Sequence, residues 1–242
     1  MRLYTFLIFI ISFLFNALAN ANPQLNKQLS EIAIVIDDIG YQISDQRMLN
    51  LNAAISYGVL PHTPFSYEYA LRATKKNRDV IIHLPMQADQ NNHLLGFGAL
   101  TQNMNKQQYQ RTLISALEDI PFAVGINNHM GSLLTRLETP MAWTMEVLQQ
   151  HNMFFLDSKT TEHSKVKQLA NQYDVSSLRR DVFLDHKLDK NHMEQQFKRL
   201  VSLAKKHGSA IGIGHPHQQT YELLTRKLPE LTSLGIKLVP IS

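Results

Sequence analysis

Four apolar, β-branched runs each stop at residues able to do chemistry: IAIVIDDIG at Asp37 and Asp38, DVIIHLPMQ at His83, AVGINNHMGS at His129 and AIGIGHPH at His215. Short runs of this composition read as buried strands. In an α/β protein the strands' carboxyl ends converge on one rim, so residues far apart in the chain can meet there around one metal ion. That convergence is what the rest of the sequence has to permit.

Strand candidates fall at Ile32–Ile36, Ala54–Leu60, Val80–Leu84, Ala123–Ile126, Met153–Leu156, Val175–Leu178, Ala210–Ile213 and Ile236–Val239. Helical patterns lie between them. Tyr109, Leu113, Ala116, Leu117 and Ile120 form one apolar stripe. Met193, Phe197, Leu200, Val201 and Ala204 form another, which stops near Gly208, a residue suited to a helix C-cap. Thr139-Pro140 reads as an N-cap and first helical position, and Gln218–Leu228 as a last helix. Strand and helix in alternation predict a parallel sheet, and seven or eight strands favour a distorted (β/α) barrel over an open sheet. Residues 86–104, rich in Asn, Gln and Gly, make a long connection suited to the wall of a cleft.

Residues 1–21 read as a secretory signal peptide: a charged Arg2, an apolar stretch from Leu3 to Leu18, and Ala19-Asn20-Ala21 as cleavage site. An uncleaved membrane anchor is the alternative; both place the rest outside the cytoplasm, in the periplasm after passage across the inner membrane. Residues 22–30 are expected to be a flexible arm and 31–242 one domain, roughly 200 residues with room for a sizeable core. The chain has no cysteine, so any metal must use His and carboxylate. Its formal charge of +4 is carried partly by short pairs such as Lys75-Lys76 and Arg179-Arg180, without interleaved aromatics. That pattern speaks against a nucleic-acid partner and leaves room for weak association with anionic envelope polymers or peptidoglycan.

Asp37-Asp38 follows a strand buried on both faces, where adjacent carboxylates would not be tolerated further back. Neighbours on a strand point to opposite sides, so one can ligate a cation while the other takes a proton from water. A turn cap beside a solvated carboxylate is the plainer alternative. His83, inside a buried apolar run, reads more readily as a core imidazole than as a ligand, whereas His129 sits in a polar turn where the Asn127 and Asn128 amides can orient ligands. His215 follows a glycine-containing strand and suits a proton donor; His217 is its rival, or a cap for the last helix. Asp157 again ends a strand. Arg180, Asp181 and Asp185 complete the polar set, as orienting groups or as surface ion pairs.

Taken in order, IVIDDIGY, IIHLPMQ, GINNHMGS, FFLDSKTT, RDVFLDH and GIGHPH resemble the divergent polysaccharide deacetylase family, relatives of the NodB-type carbohydrate esterases. The resemblance runs from about Ile32 to the end. It implies a distorted (β/α) barrel with a divalent cation, most often Zn2+, at the top, and an acetylated glycan as substrate. By the resemblance Asp37 is the general base, Asp38 and His83 are metal ligands, and His215 protonates the leaving amine. NodB-type enzymes carry a second metal histidine a few residues after the first; here Leu84, Pro85, Met86 and Gln87 follow. His129 is then the candidate third ligand, and Arg180 and Asp181 the candidates for the family's remaining Arg and Asp functions. The implied activity is metal-dependent removal of N-acetyl groups from an envelope or extracellular polysaccharide. The alternatives are a non-catalytic glycan-binding or envelope-assembly protein on the same fold, and an amidohydrolase-type barrel, which expects a His-x-His where this chain has Asp37-Asp38.

Overall fold

The computed structural model describes residues 29–242; the signal-peptide reading and nearly all of the predicted arm lie outside the described residues. Nine strands form one sheet: β1 (Ser30–Ile39), β2 (Ser56–Val59), β3 (Val80–Met86), β4 (Gly125–Met130), β5 (Phe154–Asp157), β6 (Ser177–Arg179), β7 (Val182–Phe183), β8 (Ser209–Gly214) and β9 (Ile236–Val239). Six α-helices interleave with them: α1 (Ser66–Lys75), α2 (Lys106–Asp119), α3 (Glu138–Gln150), α4 (Val166–Gln172), α5 (Lys190–His207) and α6 (Gln218–Lys227). Among the described residues no helix is long and apolar enough to cross a membrane.

Every strand pairing is parallel, in the order β6-β5-β4-β3-β2-β1-β8-β7. β9 pairs with the first half of β1 (Ser30–Ala33) and β2 with the second (Val35–Ile39). The two ends of this order, β6 and β7, are consecutive in the chain and separated by Arg180 and Asp181 alone. Arg180 N–H donates to Asp157 O on β5 (3.0 Å), and Asp181 N–H to Ile211 O on β8 (2.9 Å). One continuous segment therefore serves both edges, and the curled sheet is completed by covalent chain: a distorted (β/α) barrel, as expected from the strand count.

The two-residue period of the strands sorts their side chains between two cores. Ile32, Ile34 and Ile36 pack in the large cluster shared with the helices, whereas Ala33, Val35, Ile81, Leu156 and Ile213 form a small apolar plug inside the barrel. The inward rows continue upward past this plug as Asp37 on β1, His83 on β3, Asn127 on β4 and His215 after β8. Alternation thus delivers the polar residues to one place, above a floor that excludes water.

Local chemistry matches the sequence except at a few boundaries. α2 opens with a capping box, Asn105 Oδ1 accepting from Gln108 N–H while Gln108 Oε1 accepts from Asn105 N–H. α5 opens on Asp189 and ends at Gly208, whose φ of +89° is the left-handed conformation glycine supplies. The Thr139-Pro140 cap is corrected: α3 begins at Glu138 behind Leu137, with no side-chain cap, and Pro140 sits inside its first turn, where a missing N–H costs nothing. The β1 strand already begins at Ser30, within the predicted arm. The two-residue β7 is too short to leave an apolar run in the sequence.

Candidate metal centre and its acid–base pair

The expectation that Asp37 and Asp38 point to opposite sides is overturned. The register of β1 against β2 shifts between Ile36 and Ile39, and Asp38 adopts φ +60°, a left-handed conformation that aspartate tolerates better than most residues. The bulge swings both carboxylates onto the same imidazole. Asp37 Oδ2 lies 3.5 Å from His83 Nδ1, and Asp38 Oδ1 lies 3.1 Å from His83 Nε2.

His129 completes a triangle: its Nδ1 lies 3.0 Å from Asp38 Oδ1 and 3.0 Å from His83 Nε2. Asp38 Oδ1 is buried yet has no hydrogen-bond partner of acceptable geometry. Metal–ligand bonds of about 2.0–2.2 Å put neighbouring ligand atoms roughly 3.0–3.5 Å apart, and these three stand at the short end of that range. An orphaned carboxylate oxygen facing two imidazole nitrogens fits a divalent cation, and two nitrogens with one oxygen suit zinc. Burial alone would raise the Asp38 pKa, but the close imidazoles of His129 and His83, whose positive charge favours the ionised carboxylate, hold it well below the ordinary carboxylate range.

Asn127 arranges the rest, where the sequence reading offered the Asn127 and Asn128 amides alike. Its Nδ2 donates to both Asp37 oxygens (2.9 and 2.7 Å), and its Oδ1 accepts from His83 Nδ1 at 2.8 Å. With Nδ1 carrying the proton, the Nε2 lone pair of His83 is left for the cation, as a metal-ligand imidazole requires. Asp37 is 1% exposed, and burial pushes its pKa up against the lowering pull of His83, His215 and Asn127. Gly58 on β2 makes room for it: a Cβ there would overlap Asp37 Oδ1.

On the other side of the cleft His215 is held by Asp185, which the sequence placed only loosely in the polar set. His215 Nδ1 lies 2.8 Å from Asp185 Oδ1, while Asp185 Oδ2 accepts from His215 N–H and Thr220 Oγ1–H, each at 2.6 Å. Burial would depress the imidazole, but Asp185's hydrogen bond and charge push it up to about 9. Nδ1 is committed to Asp185, so Nε2 is the position from which a proton can leave. His217 lines the same cleft, of about 330 Å³, beside Asp38, His129 and His215; it stands at the N-cap of α6, where its carbonyl accepts from Tyr221 N–H and its ring makes no cap hydrogen bond. Leu94, from the long connection after β3, is part of the cleft wall.

The remaining candidates do other work. Asn128, one residue out of phase with Asn127, donates to Met130 O (2.6 Å) and accepts from Ser158 N–H (2.9 Å), holding the turn. Asp157, out of phase with Leu156, accepts from Lys159 N–H at 2.8 Å. Arg180 and Asp181 are corrected both as an ion pair and as members of the centre. Asp181 Oδ2 accepts from Ile211 N–H, and Arg180 donates to Ser158 O (2.7 Å) and Lys159 O (3.0 Å) with its guanidinium over Phe183.

A curled parallel sheet closed into a distorted (β/α) barrel is the fold of the NodB-like carbohydrate esterases. The chain belongs to the divergent polysaccharide deacetylase family, whose model matches residues 34–242. It is 37% identical over 215 residues to the Escherichia coli K12 uncharacterized protein YibQ, covering 88% of this chain and 66%, just under two thirds, of that one. Among solved structures, the uncharacterized protein ATU2773 of Agrobacterium tumefaciens superposes with a TM-score of 0.85 at 16% identity, over 88% of each chain. BA3943 of Bacillus anthracis, a CE4 family pseudoenzyme, superposes with a TM-score of 0.56 at 13% identity, over 89% of this chain and 65% of that one. Likenesses at such identity establish the fold.

Proposed function

We propose that the protein is a metal-dependent deacetylase that hydrolyses N-acetyl groups of an envelope or extracellular glycan, exported by the leader read at residues 1–21. The observation that carries this reading is the 3.0–3.1 Å triangle of Asp38 Oδ1, His83 Nε2 and His129 Nδ1 around an unpartnered buried oxygen. A divalent cation bound there supplies Lewis-acid polarisation of the acetyl carbonyl and makes water acidic enough to react near neutral pH. Asp37, its affinity for a proton raised by burial, accepts the proton of the attacking water. His215, protonated below about pH 9, delivers a proton from Nε2 to the sugar nitrogen as the C–N bond breaks. Asn127 and Asp185 hold His83 and His215 in the tautomers these roles need.

The test is metal analysis of the purified chain together with acetate release from chitooligosaccharides and peptidoglycan fragments. Zinc at about one per chain with acetate released supports the reading; zinc without acetate from any of these glycans overturns hydrolysis. The second reading, glycan binding without hydrolysis, is favoured by the place of His129, which replaces a nearby second histidine, and by a pseudoenzyme among the proteins that share the fold.

A further inference from the structure

We propose that the seam of the barrel is a binding groove for the acidic groups, carboxylate or phosphate, of an anionic glycan strand whose acetylated sugar lies in the adjoining cleft. The proposal rests on the deacetylase reading for its glycan and on the seam for its charge. Every other strand-to-strand connection carries a helix or a 3-10 turn; β6 passes to β7 through two residues and carries none. The flank left uncovered is a cavity of about 690 Å³.

Its lining is cationic. Arg179, Arg180 and Arg199 line it, beside a Lys159 that is paired with Glu162. Among the described residues none of the three groove arginines meets a carboxylate, unlike Arg72, Arg136 and Arg226 and like Arg47, Arg78 and Arg111. The two acids in the lining are already engaged, Asp181 by Ile211 N–H and Glu162 by Lys159 Nζ at 2.8 Å. Arg180 is fixed by two backbone carbonyls and by Phe183, its guanidinium carbon 3.7 Å from the ring centroid. A guanidinium held in this way presents its remaining N–H groups without further ordering cost.

Shape and position select a glycan over a lone ion. Along α5 the lining runs from Gln196 to His207, roughly 16 Å of helix, which accommodates an extended chain. Phe183, on which Arg180 lies, also stacks against His215, with centroids 5.9 Å apart and planes 29° apart. The charged groove and the proton donor are thus neighbours across one ring, so a single strand can occupy both.

Titration calorimetry on the full chain at low salt tests this with three acetylated probes of matched length: a neutral chitooligosaccharide, a hyaluronan oligosaccharide carrying carboxylates, and a 6-phosphorylated chitooligosaccharide. The expected result is binding of a charged probe ~10-fold tighter than the neutral one, with the preference falling as salt is added. The tighter of the two charged probes identifies the acidic group. The double variant R179E/R199E, both exposed positions, is expected to lose the preference with its melting temperature unchanged; R179Q/R199Q serves if the reversal does not fold. Equal binding of neutral and charged probes overturns the groove, as does equal binding by the variant or equally tight binding of poly-L-glutamate. Acetate release is read separately: charge-dependent binding without acetate from any probe overturns hydrolysis and leaves the groove standing, and acetate released without charge preference does the reverse.

Discussion

Asp185 grips His215 at two points, Oδ1 at 2.8 Å from the ring Nδ1 and Oδ2 accepting the backbone N–H at 2.6 Å. The carboxylate therefore sets both the tautomer of the imidazole and its position. Asp185→Asn keeps the shape and removes the charge that pushes His215 up to about 9. The alkaline limb of acetate release is expected to fall by about 2 pH units. An NMR titration of the His215 ring protons checks the cause directly: an unchanged midpoint would separate Asp185 from the proton donor.

The same pair makes stability depend on pH. A histidine whose pKa is higher in the folded chain contributes stability that is complete below about pH 6.5 and is lost as pH rises through about 9. The loss is expected to be on the order of 2–3 kcal/mol across that window, read from denaturant unfolding at several pH values. His215→Gln should flatten the curve there; a slope that survives the substitution comes from another group.

Asp38 and Asp37 should separate on metal content. Asp38→Ala removes the one oxygen of the triangle and is expected to lower zinc affinity by about 100-fold or more, while Asp37→Asn keeps zinc and loses turnover. Competition with a zinc-responsive dye, alongside acetate release, reads both. Equal zinc content and equal turnover in the two variants would defeat these assignments.

Asn127→Ala strands Asp37 and His83 Nδ1 in the barrel interior without their shared partner. A destabilisation of ~2–4 kcal/mol is expected from the unpaired buried groups. Zinc affinity should fall by about 10–100-fold as His83 loses its fixed tautomer. Thermal unfolding and zinc titration measure the two effects.

Gly58→Ala adds one methyl group where the Asp37 carboxylate already lies. The carboxylate or β2 must move, at a cost of about 1–3 kcal/mol. A crystal structure of the variant, with its unfolding curve, shows which one yields. Full stability with an unmoved Asp37 would contradict the tight fit described for this pair.

The fold was legible because its strands are buried runs of ordinary length and its helices carry regular stripes. β7 escaped because two residues leave no periodicity to read, although its pairing finishes the barrel. At the site, Asp38, His83, His129 and His215 stand out as polar residues at strand ends, and the structure gathers Asp38, His83 and His129 into one triangle, with His215 on the same cleft. Choosing between neighbours was harder. Asn127 rather than Asn128 faces inward because it continues the row of the apolar plug, and Asp157 faces away from that interior for the same reason. That distinction follows from alternation once the inward row is anchored on Val35, Ile81 and Ile213. The Asp38 bulge does not follow from it: a left-handed aspartate breaks the two-residue rule, and nothing in IVIDDIG marks the break.

The join at Arg180 and Asp181 gives the barrel an unusual vulnerability. Elsewhere its circumference is secured by rows of hydrogen bonds between separate strands, and a nick in one connection leaves those rows intact. At the join, the peptide chain itself is the fastening, flanked by one backbone hydrogen bond to Asp157 O on one side and one to Ile211 O on the other, with the Arg180 and Asp181 side chains bracing the same two flanks. Even one inserted residue there would lengthen the girth and draw Arg180, Phe183 and Asp185 out of step with His215.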